Sequence, residues 1–305
     1  MRSSWIWLFV TAVAPVAWAT NYYVTHEFLP PDRPLYGAVI RALPAGLLLL
    51  AMCRQLPRGS WWWKSAVLGT LNMSAFFALI YVAAQLLPTS VAATIMAASP
   101  LVLILVAWPL ASETPTGPRV VGASVAVSGV ALMIFSGTTS ANPWGVLASG
   151  GAMLLSSVGY ALAKRWTMEV DVLAATSWQL IAGGAALVVP AVIWEGGPPA
   201  VDGMAALAFG YVTVVATALA FVCWFAGLRH LPAGAVGVVG LLNPIAGVLI
   251  GTAIAGEALT GRQWLGLGIA CVGMVIAQAV SRSRRGAPPT PAAETRVAAP
   301  MCGVR

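Results

Sequence analysis

Charged residues are scarce in this sequence. Asp, Glu, Lys and Arg make up 8% of the 305 residues, whereas a soluble globular domain carries about 25%. So few charges cannot cover a surface that faces water, and most of the chain must therefore face lipid. The 59% of hydrophobic residues and the mean hydropathy of +0.87 support the same conclusion.

Residues that carry out chemistry are equally few. There are 2 histidines and 4 cysteines, and the cysteines show no spacing typical of a disulfide or a metal site. The sequence also contains no Gly-rich phosphate loop and no pair of carboxylates within an apolar segment. A hydrolase or a metal-dependent membrane enzyme needs such a group of residues. We therefore expect no enzymatic activity, no cofactor and no metal.

Positive charge exceeds negative charge, with 16 Lys and Arg against 9 Asp and Glu. In a soluble protein this excess would suggest a nucleic-acid partner, but in a membrane protein Lys and Arg accumulate in cytoplasmic loops. If both termini are cytoplasmic, only Arg33 and Arg262 fall in outside loops, and Arg41 lies within a span. We expect this N-in, C-in orientation in the plasma (inner) membrane, with the lipid bilayer and no nucleic acid as a partner.

Apolar stretches long enough to cross a bilayer follow one another along the chain, since a span needs about 20 residues. The fold class expected is an all-α, multi-pass integral membrane protein with ten transmembrane helices. The Pro-, Ala- and Arg-rich residues 282–305 cannot bury a core and predict a disordered cytoplasmic tail. The predicted spans lie near 5–27, 35–52, 65–86, 90–111, 119–136, 143–164, 173–194, 204–226, 233–254 and 262–281.

An internal repeat divides the chain. Residues 87–137 align without a gap on 231–281 at a constant offset of 144, and a second offset of 138 places Arg41 on Gln179. The halves are therefore about 1–137 and 138–281. Each half holds five predicted helices, so the second must enter the membrane from the opposite side, as in many secondary transporters. Repeat-related identities include Pro100 with Pro244, Glu113 with Glu257, and Gly122, Ala126 and Gly129 with Gly266, Ala270 and Gly273.

Several segments resemble a known family. They are AWATNYYV (17–24), VIRALPAGLLLL (39–50), and the two repeated blocks at 87–133 and 231–277. Together they are similar to the EamA-type ten-helix exporters of the drug/metabolite transporter superfamily. The stretch TNYYVTHEFLPPDRPL (20–35) further resembles the pigment-efflux, PecM-like branch. The resemblance implies transport of small organic metabolites, and a cavity lined by helices 1, 3, 4, 6, 8 and 9.

Polar and aromatic side chains within the spans are the candidates for substrate contact. On helix 1, Trp18, Asn21 and Tyr22 lie on one face at helical spacing, and in lipid such a face should turn inward. These residues either line a cavity or pack between helices, and both interpretations stay open for every further candidate. The further candidates are Asn72, Phe76, Ser99, Ser156, Tyr160, Phe221, Trp224 and Asn243.

Other residues are candidates for gating or structural roles. Arg41 is a cation inside a span, which is costly unless it faces protein or water; it either contacts substrate, binds carbonyls at the outer end of helix 1 or pairs with Glu27. Pro100 and Pro244 interrupt helical hydrogen bonding at repeat-related sites. Glu113 and Glu257 each begin a turn and are expected to cap or orient a loop. Tryptophans 5, 7 and 61–63 are expected as interface anchors.

These observations favour a secondary-active or facilitative exporter of small organic solutes (amino-acid-like, pigment or drug-like) that works by alternating access. Two other classes stay open. A non-transporting membrane receptor or assembly subunit would share the composition, although an inverted repeat is more typical of transporters. An intramembrane enzyme is disfavoured by the missing acid and base groups.

Overall fold

The computed structural model describes residues 2–30, 33–87, 95–134, 142–167, 170–255 and 260–283. Within these ranges the regular structure is helical. Five helices are long and apolar enough to cross a membrane, and five shorter apolar helices accompany them. The all-helical fold class is confirmed, whereas ten membrane crossings and their orientation stay predictions. Glu257 and the tail from residue 284 lie outside the described residues.

The helices are labelled α1 to α10 in chain order, and their ends lie within a few residues of the predicted spans wherever both ends are described. Four are interrupted within the described residues. A π-helical segment, Thr70–Ser74, divides α3, and another, Val214–Leu219, divides α8. Turns at Ala98 and Leu241 divide α4 and α9, and residues 95–97 are the described helical part of α4 before its turn. The bounds are α1 Arg2–Phe28, α2 Pro34–Cys53, α3 Trp61–Gly69 and Ala75–Leu86, α4 Ser99–Ala111, α5 Gly117–Ile134, α6 Pro143–Trp166, α7 Val172–Glu195, α8 Gly203–Thr213 and Ala220–His230, α9 Ala233–Gly240 and Leu242–Ala255, and α10 Gly261–Ser283.

The start of α3 corrects one expectation. Trp61 was expected as an interface anchor, but it is buried and its ring centroid lies 5.5 Å from that of Trp178. Only its neighbours Trp62 and Trp63 are exposed. Three consecutive helical residues point about 100° apart, so a run of three tryptophans cannot face the bilayer surface together.

Side-chain oxygens fix several helix starts. Asn142, Asp171 and Asp202 accept hydrogen bonds from backbone N–H groups in the first turns of α6, α7 and α8, which satisfies donors that have no partner within the helix. At the end of α7, the Glu195 carboxylate accepts from the amide of Leu35 at 2.7 Å and from that of the next residue at 2.9 Å. The negative charge suits the positive end of the α2 dipole, so α7 ends where α2 begins.

The tightest helix pair is α5 with α10. A Cβ atom built on Gly122 would lie 2.7 Å from the Cα of Ala277, and one built on Gly129 would lie 2.9 Å from the Cα of Ala270. The small-residue faces expected on these two helices therefore meet each other. From the first of these contacts to the second, the residue number rises along α5 and falls along α10. The two repeat-related helices are therefore antiparallel.

The pair α2 and α7 shows the same relation. A Cβ on Gly46 would lie 2.9 Å from the amide nitrogen of Ile181, and one on Gly184 would lie 3.1 Å from that of Leu43. At the repeat offset of 138, Gly46 corresponds to Gly184 and Leu43 to Ile181, so each contact is the equivalent of the other. Antiparallel packing of equivalent helices is what two halves of opposite direction produce.

Candidate functional site

Five aromatic side chains meet where α1, α6 and α8 come together. The ring centroid of Trp18 lies 5.2 Å from those of Phe221 and Trp224, and Tyr160 lies 5.4 Å from Trp224. Phe225 completes the group, 6.1 Å from Tyr160. The rings are tilted or edge-on to one another, with one stacked pair, as aromatic pairs in protein interiors prefer. We call these five residues the aromatic cluster; the sequence predicted four of them and missed Phe225.

The π-helical segment of α8 fixes Trp18 beside Arg41. The indole Nε1 of Trp18 donates to the carbonyl oxygen of Ala216 at 3.1 Å, and a guanidinium nitrogen of Arg41 donates to the same oxygen at 3.3 Å. Arg41 Nε also donates to Thr217 Oγ1 at 2.9 Å, and its guanidinium lies 5.3 Å from the ring centroid of Phe77. The described carbonyl partner of Arg41 is thus on α8, and the contact expected with helix 1 stays a prediction. The side chain of Glu27 lies outside the described part of the chain.

The break in α9 lies against the aromatic cluster. Pro244 has no N–H to offer to the carbonyl of Gly240 four residues earlier, and a Cβ on Gly240 would lie 3.1 Å from the Trp224 ring. Trp224 Nε1 and Asn243 Oδ1 are both buried and have no hydrogen-bond partner among the described residues. An unpaired buried polar atom costs about 1–3 kcal/mol. A buried donor and a buried acceptor near this break therefore have no partner among the described residues.

The repeat-related proline has different surroundings. Pro100 is buried two residues after the turn at Ala98 that divides α4, and a Cβ on Gly237 of α9 would lie 3.1 Å from its Cα. Ser99, beside it, is half-buried. Here α4 and α9 are in close contact, whereas the Pro244 break adjoins unpaired polar atoms. The two prolines, expected to act alike, differ in what they touch.

Asn72 is enclosed by α6 and α7. Its side-chain amide donates to Gln179 Oε1 at 3.1 Å, and a Cβ on Gly159 would lie 2.7 Å from its Cγ. Ser156, also on α6, donates to the carbonyl of Met153 in its own helix at 3.1 Å. The described hydrogen bonds of these two candidates are therefore with protein groups, and Asn72 Oδ1 is a buried acceptor without a partner among the described residues.

The remaining candidates are placed only in part. The ring of Phe76 contacts that of its neighbour Phe77, with centroids 5.6 Å apart. Asn21 and Tyr22 lie within α1, but their side chains are outside the part of the chain that the structure describes, as is the whole of Glu257. Phe77, whose ring lies beside Arg41, was not among the candidates. The repeat indicated it, because Phe77 corresponds to the candidate Phe221 at the offset of 144.

Glu113 and Lys164 together connect α4, α6, α8 and α9 at the end of the bundle predicted to be cytoplasmic. One carboxylate oxygen lies 3.0 Å from Lys164 Nζ at the end of α6, and the other accepts from the amide of Ala233 at the start of α9 at 2.7 Å. Lys164 also donates to the carbonyl oxygens of Leu228, at 2.6 Å, and of Leu231. The carboxylate therefore orients the loop between α4 and α5, and Lys164 holds the end of α8 beside it. No local sequence pattern indicated Lys164 as the partner.

Two parts of the chain, residues 5–135 and 143–278, each match the model described as the EamA-like transporter family. Protein PecM of Dickeya dadantii (strain 3937) is 33% identical over 270 residues, which are 88% of this chain and 91% of that protein. The uncharacterized inner membrane transporter YedA of Escherichia coli (strain K12) is 26% identical, covering 86% and 87% of the two chains. The uncharacterized transporter YwfM of Bacillus subtilis (strain 168) is 25% identical, covering 90% and 94%.

A solved crystal structure has the same fold. It superposes with a TM-score of 0.78 over 92% of this chain and 99% of that chain, at 18% sequence identity. At this identity the likeness concerns the arrangement of helices alone.

Proposed function

Because the chain belongs to the EamA-like transporter family, a family of membrane transporters, we propose that it exports small organic metabolites across the plasma membrane. It does so as a secondary-active or facilitative carrier. The solute binds at the aromatic cluster, beside the break in α9. The unpaired Trp224 N–H and Asn243 oxygen at this break are the observation that carries the proposal.

The chemistry of the cluster supports a particular class of solute. Its aromatic rings offer stacking surfaces, and the leftover donor and acceptor offer orientation. A flat or partly aromatic molecule that carries both a hydrogen-bond acceptor and a donor fits such a site. Arg41 shares a carbonyl with Trp18, so a positive charge lies beside the cluster. Neutral and zwitterionic solutes are therefore favoured over cations.

The packing of equivalent helices supports alternating access between two halves, about 1–137 and 138–281. Antiparallel contacts relate α2 to α7 and α5 to α10, and in carriers of this plan one half rocks against the other around a shared site. The ion pair of Glu113 with Lys164 and the close contact of Gly237 with Pro100 lie on the same side of the cluster. We propose that these contacts close the cytoplasmic side and are released when the site opens inward.

A test of export compares cells that express the protein with cells that carry an empty vector. The extracellular metabolites are profiled by mass spectrometry, and tolerance to toxic amino-acid and aromatic analogues is scored in parallel. We expect one or a few solutes to accumulate outside the expressing cells. Unchanged profiles and unchanged tolerance, at verified membrane abundance, would reject export and leave the receptor or assembly-subunit alternative.

The opposite orientation of the halves predicts opposite labelling of equivalent loops. Thr114 and Thr260 are exposed, one in the loop before α5 and the other in the loop before α10. In a background without the four native cysteines, we expect Thr260→Cys to react with an impermeant maleimide in intact cells. Thr114→Cys should react only after permeabilisation. Labelling of both from the same side would contradict the inverted arrangement.

A further inference from the structure

The two π-helical segments lie at equivalent positions of the repeat. Thr70–Ser74 in α3 and Val214–Leu219 in α8 begin 144 residues apart, which is the offset that relates the two halves. A π-helical turn is rare and often marks a functional site, because it widens the helix locally and changes the direction of the side chains that follow. Its presence in both halves therefore calls for a role that the halves share.

Each π-helical segment is held by a side chain from the opposite half. Arg41, in α2 of the first half, donates to Thr217 Oγ1 at 2.9 Å and to the carbonyl of Ala216 at 3.3 Å. Gln179, in α7 of the second half, accepts from the amide of Asn72 at 3.1 Å. Arg41 corresponds to Gln179 at the offset of 138, and Asn72 corresponds to Ala216 at the offset of 144. Equivalent pairs of residues are thus in contact twice, once in each direction between the halves.

The two contacts differ in chemistry. Gln179 and Asn72 are 0% and 1% exposed and form a neutral amide pair, and Gln179 also donates to the carbonyl of Ala175 in its own helix at 3.1 Å. Arg41 is charged and half-buried, and the carbonyl that it binds also accepts from Trp18. Only the α8 contact therefore reaches the aromatic cluster.

We infer that Arg41 and Gln179 are equivalent positioning residues, each of which fixes the π-helical segment of the opposite half. Through the Ala216 carbonyl, Arg41 also sets the position of Trp18. A change in the bend of α8 must then be accompanied by a shift of α2, and a change in the bend of α3 by a shift of α7. These two contacts couple the movements of the two halves. The inference does not depend on whether the protein transports a solute.

Hydrogen–deuterium exchange tests the inference without any substrate. The full-length protein in lipid nanodiscs is compared with Arg41→Met and Gln179→Leu, each of which removes one contact. We expect amides of residues 214–219 to exchange about fivefold to tenfold faster in Arg41→Met, with residues 70–74 unchanged. In Gln179→Leu we expect the reverse pattern. Arg165→Met, at an exposed position, is the control and should change neither segment.

Two further variants guard against a merely structural effect. Thr217→Val removes one acceptor with little change in shape and should also accelerate exchange at residues 214–219; combined with Arg41→Met it should add nothing more. Arg41→Gln installs the amide found at the equivalent position and should restore part of the protection. Uniform acceleration in all helices, or no change at residues 214–219 in either Arg41→Met or Thr217→Val, would overturn the inference.

Discussion

Replacing Gly273 by leucine is expected to remove most of the protein from the membrane. A Cβ at this position would lie 2.7 Å from both the Cα of Ala126 and the carbonyl oxygen of Gly122. Real Cβ atoms essentially never approach that closely, and both contacted atoms belong to the backbone of α5. Neither atom can rotate away, so α10 must separate from α5. Overpacking of this kind costs at least about 1–3 kcal/mol, and we expect membrane abundance to fall at least about fivefold.

The control for this variant lies on the same helix. A Cβ on Gly268 meets nothing within 4 Å, so Gly268→Leu makes the same chemical change where space is open. Abundance is measured by fluorescence-detected size exclusion of a C-terminal fusion, and thermal unfolding of the extracted protein is recorded alongside. Equal abundance of Gly273→Leu and Gly268→Leu would show that α5 and α10 do not pack as described.

The expected defect also tests the relation between the halves. Gly273 corresponds to Gly129 at the offset of 144, and a Cβ on Gly129 would lie 2.7 Å from the carbonyl oxygen of Gly266 on α10. Gly129→Leu should therefore reduce abundance to a similar extent. If only one of the two substitutions had an effect, the contact between the helices would not be the symmetric one that the repeat implies.

Periodicity and composition predicted the helices and their equivalence because both depend on local sequence. Lipid demands continuous apolar stretches, and helix pairs that approach closely demand small residues at fixed spacing. Gly122 and Gly129 on α5, with Gly266 and Gly273 on α10, satisfied the second demand at identical offsets. That these two faces meet each other, rather than other neighbours, became clear only from the packed structure.

The candidate site was predicted less completely, and α8 shows why. The π-helical segment Val214–Leu219 has more residues per turn than an α-helix. The side chains after it therefore point in directions that differ from those of a continuous α-helix counted from Gly203. The residues at 221, 224 and 225 all follow this segment within the regular helix Ala220–His230, so their spacing of three and four still places them on one face, and this was an unused signal for Phe225. The pair of Glu113 with Lys164 was missed for a different reason: these residues are distant in sequence, and nothing local indicates a contact between them.

Replacing Trp224 by phenylalanine is expected to weaken solute binding, at a cost in stability that comes from the smaller ring alone. The substitution keeps an aromatic ring in the cluster and removes the indole N–H, which has no partner among the described residues. Removing an unpaired buried donor relieves a desolvation cost rather than breaking a bond. If the solute accepts a hydrogen bond from this group, its loss costs about 1–1.5 kcal/mol, so the apparent KM should rise about fivefold to tenfold.

The matched variant is Trp18→Phe, because the same chemical change there breaks a bond that the protein itself makes. Trp18 donates to the Ala216 carbonyl at 3.1 Å, so its replacement should lower the thermal midpoint further than Trp224→Phe, which loses ring volume but breaks no described bond. Trp194→Phe, at a residue that is 75% exposed, should alter neither quantity. Transport is measured with the solute found by extracellular profiling, over a range of concentrations.

The contrast between the two variants separates binding from packing. An unchanged KM for Trp224→Phe would mean that the unpaired indole N–H is not the solute's partner. A raised KM for solutes that accept a hydrogen bond, with KM unchanged for solutes that cannot accept one, has the opposite meaning, because lost packing would weaken the binding of both kinds of solute. Asn243→Leu extends the test to the unpaired acceptor at the same break, and it should raise KM for solutes that donate a hydrogen bond but not for those that only accept one.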